Sequence, residues 1–110
     1  MPAESFIEAA VRIWLSVAED RIKQASTVHR LSDGQKAAIE IQLPECTALI
    51  ELWEHARCID TTIHMNGKQQ GIVLAAGPCA NEQLVRERIQ ELRSALEPSL
   101  GERPGGYLNP

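Results

Sequence analysis

The chain is predicted to be α+β, a two-layer sandwich whose small antiparallel sheet is built from two hairpins and carries helices on one face, in the order α-ββ-α-ββ-α. Three observations predict it. Apolar residues recur at helical spacing near both ends of the chain, and between those ends the period switches to alternation. Two dipeptides suited to tight turns, Asp33-Gly34 and Asn66-Gly67, each fall between alternating runs.

The first helix is predicted to begin at Ser5, where Ser5 and Glu8 spell the Ser-x-x-Glu capping box. Ile7, Val11, Trp14, Ala18, Ile22 and Ala25 then repeat at helical spacing, with Phe6, Ala10, Ile13 and Val17 widening the stripe, which makes Trp14 a core anchor. Around Asp33-Gly34 a first hairpin is expected. Its better arm, Lys36 to Leu43, puts Ala37, Ile39, Ile41 and Leu43 on one face, while in Thr27 to Leu31 the parity of Val28 and Leu31 conflicts, leaving an edge strand or a loop. Pro44 ends the good arm. Leu49, Leu52, Trp53 and Ala56 follow at i, i+3, i+4 and i+7, so Thr47 to Arg57 is expected to be a helix, with a strand through Leu49 to Trp53 as the competing reading.

The central hairpin is expected from Cys58 to Cys79 around a type I′ turn at Asn66-Gly67. Pairing about that turn sets Met65 against Lys68, Ile63 against Gln70, Thr61 against Ile72 and Ile59 against Leu74 on the core side. Asp60, Thr62, His64 and Gln69 fall on the other side, and Val73 and Ala75 suggest that the second arm is an interior strand. After Gly77-Pro78 a last helix is predicted from about Asn81 to Glu97, with Val85, Ile89, Leu92 and Leu96 inward and Leu84 at the edge. Residues 1–97 are thus expected to form one domain, and the Gly- and Pro-rich residues 98–110 a flexible tail.

Composition narrows the function classes. With 110 residues, 44% hydrophobic and 24% charged, the chain has ordinary globular usage, and its longest apolar run is far short of the ~20 residues a membrane helix needs. A soluble, cytoplasmic protein is expected. Three cysteines, an odd number and widely spaced, suit reduced thiols better than a disulfide framework. The net charge of -4 argues against nucleic acid, whose phosphates need clustered Lys and Arg. The acidity is uneven: Glu40, Glu45, Glu51, Glu54 and Asp60 share a segment with one cation, Arg57, and offer a negative surface to a basic partner.

No motif announces catalysis. Phosphate-cradling glycine patterns and zinc-binding pairs such as Cys-x-x-Cys are absent, and no metal or cofactor is expected, although Cys46, His55, Cys58 and Cys79 are the donors a closed zinc site would have to use. The catalytic candidates are Cys79, His55 and His64. Cys79 follows Gly77-Pro78 at a predicted strand-to-helix junction, where free amides would stabilise a thiolate. Asp60 and His64 lie about 13 Å apart along a strand, too far for a direct bond.

The predicted element order and the acidity are similar to those of type III secretion chaperones and of small toxin-immunity proteins, and that resemblance implies a cytoplasmic protein acting by binding another protein. From the residues, a non-enzymatic protein-binding module is expected. Glu40, Glu51, Glu54, Asp60 and His64 are its candidate contacts, and self-association into a homodimer through a free sheet edge or face is expected beside it. The alternative is a small enzyme or ligand-binding domain with a thiol and imidazole site.

Overall fold

The computed structural model describes residues 4–67 and 71–97. Two helices, α1 (Phe6–Val17) and α2 (Asp20–Gln24), precede five strands, β1 (Ser26–Leu31), β2 (Lys36–Gln42), β3 (Cys46–Trp53), β4 (Cys58–Met65) and β5 (Ile72–Ala75), and helix α3 (Glu82–Leu96) follows them. The strands lie in the sheet in chain order, each antiparallel to the next. α1 and α3 pack on one face over Ile39, Ile50, Leu52 and Ile59, all fully buried. The fold is therefore α+β with an antiparallel sheet, but the order α-ββ-α-ββ-α is replaced by helices at both ends of a five-stranded meander. The predicted tail, 98–110, lies outside the described residues.

The largest correction concerns Thr47 to Arg57. These residues form most of strand β3 and the turn after it, and no helix. Burial alternates strictly along β3: Cys46, Ala48, Ile50 and Leu52 face the helices and Thr47, Leu49, Glu51 and Trp53 face away. The helical stripe arose because two outward residues, Leu49 and Trp53, are also apolar. Trp53 is accommodated there by Lys36, whose ammonium sits 4.9 Å from the ring centroid.

The capping box forms by half. The Ser5 hydroxyl accepts from the Glu8 amide at 3.1 Å. The Glu8 carboxylate turns instead to Arg30 of β1, with two bonds of 2.8 Å. The first free amides of α1, those of Phe6 and Ile7, both donate to the Glu54 carboxylate at 2.9 Å. An anion from the β3–β4 turn thus meets the positive end of the helix. The long apolar stripe divides at Ala18, which is extended (ψ 136), and α2 carries Ile22 into the core. Trp14 is buried, and its indole N–H reaches the Ser26 hydroxyl at 3.1 Å. Thr27 to Leu31 lies within a true strand, and Asp33 and Gly34 both take positive φ, 54° and 87°.

The central hairpin is real but its register differs. Ile63 faces Ile72, Thr62 faces Val73 and, past an irregularity, Thr61 faces Ala75. Against the expected pairing the register slides by two residues at Ile63 and Thr62 and by three at Thr61 and Ile59, beyond the irregularity. Asn66 does not take the positive φ that a type I′ turn requires. Its side chain donates to the Pro44 carbonyl at 2.7 Å and its amide to Glu45 at 3.0 Å, so it is spent on the neighbouring β2–β3 turn. The remaining expected partners, Lys68, Gln69 and Gln70, lie outside the described residues. Between the turn and the irregularity the slide of two preserves which face each side chain occupies. Ile59 and Ile63 are buried and Leu74 packs on the core, but Ile72 is 57% exposed. β5 is an edge strand, not an interior one. α3 matches expectation: the Asn81 side chain caps the Leu84 amide at 2.9 Å, and Val85, Ile89, Leu92 and Leu96 are buried.

Candidate functional site

The helices cover one face of the sheet, and the alternation that buries Ile39, Ile50 and Ile59 turns Glu40, Glu51 and Asp60 to the other. These three carboxylates are half-buried on the open face. Glu51 and Asp60 stand directly opposite each other on β3 and β4, the small Ala38 is opposite Glu51 on the far side, and His29 follows it on β1. Opposed residues of an antiparallel pair have Cβ atoms roughly 5 Å apart, and like charges there destabilise the sheet. Leu49 and Trp53 flank Glu51 along β3, giving the acidic row apolar shoulders.

The local partners of these groups are few and polar. Lys36 approaches Glu51 at 3.7 Å while lying over Trp53. Asp60 accepts the Gly77 amide at 3.2 Å, and Glu40 accepts from the Gln42 side chain at 2.7 Å. His29 reaches Glu40 at 3.4 Å, an ion pair when the imidazole is protonated. Among the described residues the face is acidic with one permanent cation, Lys36.

His64 lies exposed on this face near the end of β4, opposite Thr47. Glu54 does not belong to it: its two oxygens hold the start of α1. That structural duty was hidden from sequence reasoning because 48 residues separate donor and acceptor. The signal that existed was the pair of amides after Ser5 left over by any local cap.

The catalytic candidates are dispersed. Cys79 is buried, two residues before the Asn81 cap, and burial pushes its thiol up, against the lowering influence of Arg88 and Arg57. This is the opposite direction from the one a reactive thiolate needs. His55 is exposed in the β3–β4 turn, and His64 is six residues along β4 from Cys58, or about 20 Å. Cys58 pairs with Pro78, the residue before Cys79. Cys46 sits at the far end of β3, opposite Met65, so the thiols do not converge on one point. Among the described residues no three His, Cys, Asp or Glu side chains gather as a metal-binding group. Among the described residues, clefts of about 550 and 210 Å³ are lined by α1 with Arg30 and by α1 with Arg57 and the start of α3. None of Cys79, His55 and His64 lines either cleft.

Comparison with protein-family models, with characterised proteins and with solved structures finds no match to this chain. No helix among the described residues is long and apolar enough to cross a membrane.

Proposed function

We propose that the protein is a non-enzymatic binding module that holds a basic, partly apolar surface of another protein against the open face of its sheet. The observation that carries this reading is the opposition of Glu51 and Asp60. A cross-strand pair of carboxylates works against the sheet that contains it, by about 0.2–1 kcal/mol. A partner Lys or Arg seated between them turns that repulsion into two attractions. Leu49 and Trp53 supply the apolar contact that a specific interface adds to charge, and aromatic residues are frequent anchors in such interfaces. Glu40 extends the acidic row and His64 marks its end. Neutralisation or chaperoning of the bound protein is the activity that such a face suits, and it requires no chemistry from Cys79, His55 or His64.

The test compares capture from an extract of the native host by the wild-type chain and by the Glu51→Gln/Asp60→Asn variant, with mass spectrometry of what is retained. The expected outcome is a basic protein retained by the wild type, released as salt rises toward ~0.5 M, and absent from the variant. Equal retention of the same protein by both chains would overturn the reading.

A further inference from the structure

We propose that β5 is the edge at which two copies of this chain join, strand to antiparallel strand, about a twofold axis normal to the sheet. β5 ends the sheet and is paired on one side only among the described residues. Ile72 is 57% and Val73 64% exposed, the two most exposed of the large hydrophobic side chains described. They point to opposite faces, Ile72 beside Ile63 and Val73 beside Thr62, so apolar surface is uncovered on both sides of this edge. An edge with free backbone groups, apolar side chains and no charge is a template for another strand.

Charge distinguishes the occupant. No Asp, Glu, Lys or Arg stands between Lys68 and Glu82. Two chains that each carry -4 repel, and this neutral stretch is where they can approach without setting carboxylate against carboxylate. A basic protein is drawn instead to the acidic open face, so the two surfaces take different partners.

The other edge makes the assembly finite. β1 carries His29 and Arg30, and Arg30 is engaged by Glu8 of α1 and His29 lies against Glu40. The permanent charge of the half-exposed Arg30 opposes further pairing along this edge, although Leu31 beside it is exposed. With one edge open and one guarded, self-pairing closes at two copies, whereas two open edges would propagate as a filament. The length of the joint is limited too. Beyond Ala75 the chain already runs along β4, with Ile59 donating to the Gly77 carbonyl at 3.1 Å and Cys79 to that of Arg57 at 2.7 Å, and Pro78 has no amide hydrogen to offer. A twofold axis normal to the sheet keeps the helices of both copies on one side and merges the two open faces into one continuous surface on the other. The joint is smaller than the ~1,600 Å² of a standard interface, so a dissociation constant of about 1–100 µM is expected.

Sedimentation equilibrium between about 5 and 500 µM brackets that range. The wild-type mass is expected to rise from 12.2 kDa toward twice that value and no further. Val73→Lys, at a solvent-facing position, is expected to weaken association at least ~10-fold, while Leu31→Lys on the opposite edge leaves it unchanged. Hydrogen exchange supplies a reading that needs no variant: the amides of Ile72–Ala75 are expected to gain protection as concentration rises. A wild-type chain that stays monomeric at the highest concentration, growth beyond two copies, unaltered association of a folded Val73→Lys chain, or unchanged exchange at Ile72–Ala75 would each overturn the proposal. The Glu51→Gln/Asp60→Asn variant is expected to dimerise normally, which separates this outcome from failure of the partner-binding reading.

Discussion

On the helix side of the sheet Ile39, Ile50, Leu52 and Ile59 are sealed beneath α1 and α3, while one residue along the same strands Glu40, Leu49, Glu51 and Asp60 stand half-exposed with no described layer above them. The same pleat produces both faces. On the first, packing accounts for every residue type except Thr61, which is fully buried and whose hydroxyl finds no hydrogen-bond partner among the described residues. On the second, stability alone does not account for two opposed carboxylates. Residues that serve the fold are recognised by what they touch, and the opposed pair touches Lys36 and the Gly77 amide at the sheet surface.

The sharpest way to break this contrast uses neighbours on β3. Ile50→Ala should cost about 2–5 kcal/mol in urea unfolding, because a buried side chain leaves a cavity, whereas Leu49→Ala should cost less than ~1 kcal/mol. Comparable losses would mean that the open face is covered in the native protein. Glu54→Ala comes next, at about 1–2 kcal/mol, since it strips two amides of α1 of their anion. Faster hydrogen exchange confined to the first turn of α1 should accompany that loss.

Thr61→Val should stabilise the protein by about 1 kcal/mol, replacing an unpaired buried hydroxyl by a methyl group of similar size. A measured destabilisation would show that the hydroxyl is satisfied. On the open face, Asp60→Asn keeps an acceptor for the Gly77 amide and removes the repulsion with Glu51, so a gain of roughly 0.5 kcal/mol is expected together with weaker partner binding. Greater stability with weaker binding is the combination that distinguishes a functional carboxylate from a structural one.

The smallest effect concerns the ion pair between α1 and β1. Hydrogen bonding to Arg30, assisted by its charge, holds the Glu8 carboxyl below its ordinary value of 4.5. A carboxyl whose folded value is depressed adds stability above its unfolded value and loses it as pH falls through the folded one. Both side chains are about half exposed, which reduces the contribution to a few tenths of a kcal/mol. Arg30→Gln should remove that small contribution at neutral pH and leave stability in strong acid unchanged, so that stability falls less steeply as pH drops below about 4.5, as acid titration of unfolding would record.

Much of this was legible along the chain. Ser5, Trp14, Asn81 and the stripe of Val85, Ile89, Leu92 and Leu96 behave as their spacing predicts, because capping and helical periodicity act over a few residues. The strand expected over Lys36 to Leu43 was equally plain and ends one residue earlier, at Gln42. β3 was not, since Trp53 and Leu49 made its outer face apolar and the pattern imitated a helix. Its counter-signal was the strict alternation of Cys46, Ala48, Ile50 and Leu52, set just after the Pro44 turn.

Local patterning, then, accounts for the α+β class, the helix starts and the inward set of each correctly assigned segment, since those depend on neighbours within a turn or a pleat. It could not say that Glu54 would cap a helix 48 residues away, that Asn66 would serve the adjacent turn, that the hairpin register would slip at an irregularity after Thr62, or that Glu51 would meet Asp60 across a strand pair. Those outcomes rest on contacts between distant segments, and such contacts exist only once the sheet has brought the segments together.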